Sequence, residues 1–298
     1  MGGKAHGLLT INNILEKHKE DIEFQTFDVS IPQMAVLRTD IFDAFMKQNK
    51  LYEIAYSDRT DERIALKFQK AELPFEIIGD LRRLCNKSHR PLAIRSSSRL
   101  EDALYEPFAG IYATKMTPNN QPDPDQRFRK LLEAIKFIYA STFFKAAKDY
   151  MSATNHDIED EKMAVIIQEI VGNRFYDRFY PEISGVARSY NFYSLGRAKP
   201  EDGVVNLAFG LGKTIVDGGI SWNYSPTYPK VGPPFASISE MMKKTQLDFW
   251  AVNMGKLPVY DPIKETEYLI KKSITSAEND QTLTKLVSTV DQESGKLR

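Results

Sequence analysis

Four short segments hold the residue types that bind anions and hard cations. The first is GGKAHG at 2–7, where two glycines ahead of Lys4 let backbone approach a phosphate that the ammonium would neutralise. The G-x-x-x-x-G-K-S/T spacing of a P-loop is absent, so the competing reading is a flexible terminus. The second is PLAIRSSSRLEDALYEPFAG at 91–110, an apolar run that ends on one cation and three hydroxyls. Arg95 can grip a phosphate with two N–H groups, Ser96–Ser98 can donate hydroxyls, and Gly110 lets another backbone come close. Alternatively, Arg95 pairs with Glu101 or Asp102 and the serines cap a helix.

The third segment, VIIQEIVG at 165–172, sets Gln168 and Glu169 in a buried apolar strand. A carboxylate there needs a partner or a cleft, and strand backbone at such a place can hydrogen-bond an adenine. Simple alternation would instead turn Glu169 to solvent. The fourth, GVVNLAFGLGKTIVDGG at 203–219, spaces Gly210, Gly212 and Gly218 among apolar residues. Asn206 and Asp217 offer the oxygen ligands that magnesium takes beside phosphates. A glycine-rich β-turn explains the same letters.

These segments need a scaffold, and periodicity supplies its outline. Leu8, Ile11 and Leu15 share a helical face, and a strand is expected over Ile31–Leu37. Thr39 or Asp40 can cap a helix whose Ile41, Phe42, Phe45 and Met46 align. The stretch Tyr56–Lys70 shows no clear period, whereas Phe75–Cys85 is helical. A short strand, Leu92–Ile94, precedes the serines, and the turn-rich 117–126 breaks the chain. The strongest helical pattern runs from Phe128 through Leu131, Ile135 and Ile138 to Phe143, with helical propensity persisting to about Met151. The polar 152–161 marks a lobe boundary, and strands follow over 163–171, 184–194 and 202–212. An amphipathic segment at 237–252 leads into a polar tail. Strands alternating with helices, then a strand-rich second part, indicate an α+β or mixed α/β nucleotide-binding fold.

Composition narrows the function classes. Forty basic and forty acidic residues give zero formal net charge, so no excess of positive charge favours a nucleic-acid backbone, which leaves only a local basic cleft open. Hydrophobic residues make up 42% of 298, enough for a packed core in one large domain or several lobes. Cys85 is the sole cysteine, which excludes an internal disulfide and argues against a zinc cluster. No apolar run approaches the roughly 20 residues of a membrane span, and the first residues lack a signal-peptide core. A cytoplasmic protein is expected.

Taken in order, GGK, SIPQMAVLRTDIFDAF, RSSSRLEDALYEPFAG, VIIQEIV, SGVA and FGLGKTIVDGG resemble the ATP-grasp nucleotide-binding domain of the phosphoenolpyruvate synthase and pyruvate phosphate dikinase family. The resemblance covers about residues 2–230. It implies a two-lobed ATP-grasp-like fold with a helical insertion: a first lobe over 1–160, a second over 161–235, and a C-terminal helical or linker segment over 236–298. It also implies a cleft for Mg·ATP whose β-phosphoryl group passes to a histidine on a swivelling domain, which serves a pyruvate/phosphoenolpyruvate barrel. By the same resemblance Lys4 and Arg95 act on the phosphates, with Ser96 and Gly110 in the phosphate loop. Gln168 and Glu169 line the adenine side, Asn191 keeps one nucleotide contact, and Asn206 and Asp217 fall on the metal side.

Departures mark a divergent member. Lys213 stands where many relatives have Glu, T-R-N-P is replaced by RSYNFY at 188–193, and Asn206 sits where a carboxylate is common. None of His6, His18, His89 and His156 has the threonine- and serine-rich context of a phosphorylated histidine. The expectation is therefore a fragment of a longer phosphotransferase or a stand-alone module. A non-catalytic nucleotide-binding module, or a dikinase with another acceptor, stays open.

Overall fold

A computed structural model describes residues 2–18, 28–98, 100–102, 110–154, 156–194, 196–231, 235–284, 286–291, 294 and 296. The fold is α+β, and the chain divides into two compact units. The first comprises Met1–Ile170 with Leu257–Tyr268, and the second Val171–Lys256 with Leu269–Arg298.

The first unit begins with α1 (Gly3–Lys17), β1 (Met34–Leu37), α2 (Thr39–Gln48) and α3 (Tyr52–Tyr56). It continues through α4 (Asp61–Lys70), α5 (Phe75–Lys87), β2 (Leu92–Ser97) and β3 (Thr114–Thr117), and ends with α6 (Pro124–Ser141), α7 (Lys145–Ala153) and β4 (Ala164–Glu169). The four strands form one antiparallel sheet in the order β1-β4-β2-β3. Its helical side is legible in the residues. Phe42, Phe45 and Met46 of α2, Ile64 and Phe68 of α4, and Leu131, Ile135 and Ile138 of α6 recur every three or four positions, and all are buried. They meet Leu37, Leu92, Ile94, Val165 and Ile167 from alternate strand positions. Aromatic rings fill the centre, with Phe42 and Tyr139 edge-to-face at 5.1 Å and Phe45 against Phe68 at 5.9 Å. Asp123 caps α6 through a 2.9 Å bond from the Asp125 N–H, with Pro124 in the first turn.

The second unit holds β5 (Asn173–Phe175), β6 (Arg178–Tyr180), β7 (Ile183–Arg188), β8 (Val204–Phe209), α8 (Lys213–Val216) and β9 (Trp222–Tyr224). It is completed by α9 (Ile238–Lys243), β10 (Asp248–Asn253), β11 (Leu269–Ser273) and α10 (Ile274–Glu278). One sheet runs β11-β10-β6-β5 and another β7-β8-β9. Tyr180, Phe209 and Phe249 form the core, with ring centroids 4.7–5.5 Å apart. Arg178 and Tyr180 both bond Asp280, which ties α10 to the sheet. Gly210, just after β8, lets the chain pass close to β10: its φ is +79°, and a Cβ would lie 2.8 Å from the Trp250 carbonyl oxygen.

Several elements differ from the sequence reading. The aperiodic stretch 56–70 is largely α4, whose buried Ile64, Ala65 and Phe68 stand among six polar residues of its ten, too thin a stripe to show the period. The strand expected over Leu92–Ile94 extends to Ser97, so two of the serines are strand residues. The amphipathic stretch 237–252 is a short helix, α9, followed by a strand, β10, because Phe249, Ala251 and Val252 pair and pack in a sheet. Among the described residues no helix is long and apolar enough to cross a membrane.

Candidate nucleotide site

β2 builds the first part of the site by alternation. Leu92 and Ile94 face the helical core, so Ala93, Arg95 and Ser97 face the opposite side of the sheet. Gln168 pairs with Ala93 across β2 and β4 and shares that side, while Arg95 sits opposite Ile166. The Arg95 guanidinium reaches the Gln168 side-chain oxygen at 3.5 Å, a long contact. Among the described residues Arg95 has no carboxylate partner, neither Glu101 nor any other. A half-buried guanidinium in that state has N–H donors to offer an anion.

The neighbouring Glu169 points the other way. Its carboxylate accepts from the Ser88 hydroxyl at 2.5 Å and borders a pocket of about 240 Å³ lined by Met34, Leu84, Lys87 and Ile167. Gln168 and Glu169 are thus on opposite faces, and only Gln168 lies with Arg95.

The start of the chain is docked against the end of β2. The Gly3 N–H donates to the Ser98 carbonyl at 3.1 Å, and the Ala5 N–H donates to the Ser97 hydroxyl at 3.1 Å. A Cβ on Gly2 would lie 1.6 Å from the Ser97 carbonyl oxygen, so only glycine fits. Lys4 is consequently a first-turn helical residue rather than part of a loose loop, and α1 starts five residues before the apolar spacing suggested.

Lys4 meets Glu101. The two side chains form an ion pair in which the carboxylate is 2% exposed and the lysine 30%. The same Glu101 oxygen accepts from the Ser96 hydroxyl at 2.8 Å, and the other accepts from the Ser98 N–H at 3.0 Å. The Ser98 hydroxyl in turn accepts from the Glu101 N–H at 3.3 Å, completing a reciprocal cap. Behind it lies Glu161, 6% exposed, whose carboxyl is pushed up to about 7. Burial is the main cause, and the Glu101 charge adds to it; the hydroxyls of Ser98 and Tyr112 and the charge of His156 oppose it. Burial likewise raises the Tyr112 phenol well above its ordinary value. Gly110 has φ +82° with open space around it. The Phe108-Ala109 part of the motif lies outside the described residues.

The other residues expected to contribute belong to the second unit. Asn206 lies on β8 between Val186 and Asn223, and its buried side-chain oxygen has no hydrogen-bond partner among the described residues. Such an orphaned oxygen suits a cation ligand. Asp217 ends α8, and its carboxylate takes the Lys213 ammonium at 3.1 Å. Asn191 accepts from the Tyr193 N–H at 3.0 Å and donates its own N–H to the Pro200 carbonyl at 2.8 Å, holding a turn. No group of three or more His, Cys, Asp and Glu side chains that could hold a metal occurs among the described residues.

Sequence reasoning assigned Gly2 to phosphate approach rather than to its close seat on Ser97, and it missed Glu161 and the partner of Lys4. The Ser98-x-x-Glu101 spacing is a capping-box signal and announced the cap; nothing local announced a lysine 97 residues away.

Comparison with known proteins identifies a family for the chain. The model of the pyruvate phosphate dikinase AMP/ATP-binding domain matches residues 1–293. An uncharacterized phosphotransferase, YvkC, of Bacillus subtilis (strain 168) is 24% identical over 200 residues, covering 67% of this chain. The match spans 22% of that protein's length. The chain belongs to the pyruvate phosphate dikinase AMP/ATP-binding domain family.

Proposed function

We propose that this member of the dikinase AMP/ATP-binding family binds Mg·ATP in an ATP-grasp manner and serves transfer of the β-phosphoryl group to a histidine. That histidine would sit on a swivelling domain, in a longer chain or in trans, and hand the group on to a pyruvate/phosphoenolpyruvate barrel. The observation that carries the reading is Arg95, a half-buried cation without a carboxylate partner among the described residues, on the same sheet face as Gln168. Lys4 stands at the end of the same strand. Phosphoryl transfer asks a protein mainly for positioned positive charge and N–H donors, and these are what the end of β2 presents.

In this reading Arg95 and Lys4 bind and orient the phosphates, and Gln168 marks the adenine side. Asn206 and Asp217 would hold magnesium, which when bound neutralises phosphate charge. Titration calorimetry with Mg·ATP tests the binding, with GTP as comparator. Arg95→Ala should weaken affinity by about tenfold or more; an unchanged affinity removes Arg95 from the site.

One observation favours a second reading. Asp217, expected on the metal side, already neutralises Lys213. A module that binds nucleotide without transferring phosphate fits that pairing. Supplying a histidine-bearing swivelling domain and ATP labelled at the β-phosphate separates the two, since only the first reading yields labelled histidine.

A further inference from the structure

We propose that Glu101 is the positioning residue for Lys4, fixing its ammonium at the end of β2 where a nucleotide phosphate is to be met. This rests on the reading that Lys4 contacts a phosphate. A lysine near a chain terminus, on a four-carbon stem, ordinarily samples many rotamers. Here both ends of the stem are held. The main chain is fixed by the Gly3 and Ala5 N–H bonds to Ser98 and Ser97, and by the close seat of Gly2. The ammonium is fixed by Glu101.

Glu101 is itself over-determined. Its backbone N–H and one carboxylate oxygen are locked by the reciprocal cap with Ser98, and the other oxygen is steadied by the Ser96 hydroxyl. The carboxylate is nearly sealed while the Lys4 side chain keeps 30% of its surface. The anion is therefore a base plate, and the lysine presents its remaining N–H donors outward. Rotamer freedom is lost when the protein folds, not when nucleotide arrives, which is how preorganisation raises affinity. The three serines, read from sequence as phosphate ligands, act one step behind: Ser96 and Ser98 hold Glu101, and Ser97 holds α1.

A double-mutant cycle on the full chain tests this, using Mg·ATP affinity by calorimetry and cooperative thermal melting as the check on folding. Glu101→Gln and Lys4→Ala should each weaken ATP binding about tenfold, and the double variant should bind no worse than Lys4→Ala alone. Glu101→Asp, which keeps the charge, should recover part of the loss, and it carries the cycle if Glu101→Gln does not fold. A loss on Glu101→Gln that persists undiminished in the Lys4→Ala background overturns the proposal, because Glu101 would then act through the fold alone. Unaltered ATP affinity in Lys4→Ala, with Arg95→Ala still impaired, overturns it too while leaving the nucleotide site standing. A wild-type chain that binds no ATP removes the site and the proposal together.

Discussion

The Lys115 ammonium lies 2.6 Å from a carboxylate oxygen of Glu267, and the two side chains are 5% and 1% exposed. Lys115 comes from β3, and Glu267 from the segment that returns to the first unit after β10. The ammonium also donates to the Lys264 carbonyl at 2.6 Å and lies 4.8 Å from the centre of the Phe137 ring. Burial lowers the Lys115 pKa even so, with Glu267 opposing the shift. Breaking one side of such a pair leaves a buried charge alone. Glu267→Gln should therefore cost about 3–5 kcal/mol in urea unfolding, whereas Lys115→Met with Glu267→Leu should restore most of it. A double variant as unstable as the single one would show that the segment is held by other contacts.

The Glu161 carboxyl sets a pH dependence. Its ordinary value is 4.5, and in the folded chain it is raised to about 7. Between these values the unfolded chain releases the proton while the folded chain keeps it. Stability attributable to this group is thus full below about 4.5, declines as pH rises, and is lost above about 7. At about 1.4 kcal/mol per unit, the swing is on the order of 3 kcal/mol. Glu161→Gln should flatten the stability profile across that window and leave the variant more stable than wild type at pH ~8. Parallel profiles for the two proteins would dismiss the effect.

Gly2→Ala probes the docking of α1. The added Cβ meets backbone, not a yielding side chain, so the first turn must lift away from Ser97. We expect ATP affinity to fall about tenfold, as for loss of Lys4 itself, with an unfolding midpoint close to wild type because few core residues come from α1. Undiminished affinity would place the Lys4 turn outside the binding site.

The sequence made legible those elements in which hydrophobic period and solvent exposure agree. α5 and α6 bury Leu81 or Leu131 on one face and keep charges on the other, so spacing alone located them. α4 did not stand out, since three buried residues among seven others make a thin stripe. β10 was ambiguous because a run such as Phe249–Val252 suits a buried strand or a helical turn equally until its partner strand is known. Of the proposed site, the closeness of Arg95 and Gln168 was readable in part, from their interruption of apolar strands. The Lys4–Glu101 contact was not, because a pairing across 97 residues leaves no local trace. The opposite facing of Gln168 and Glu169 follows from alternation, but which of them shares a side with Arg95 depends on strand register, which sets Glu169 against Leu92 and Gln168 against Ala93.

The return of residues 257–268 to the first unit imposes an order in time. A ribosome delivers Lys115 and every strand of the first sheet by residue 169, but Glu267 is almost a hundred residues further on. At synthesis rates of about 5–20 residues per second, that interval is roughly 5 to 20 seconds. Through it the nascent first unit carries a lysine whose resting place is an apolar interior and whose counter-charge does not yet exist. The unit is therefore completed not when its sheet is made but when the growing chain, having built most of the second unit, comes back to it.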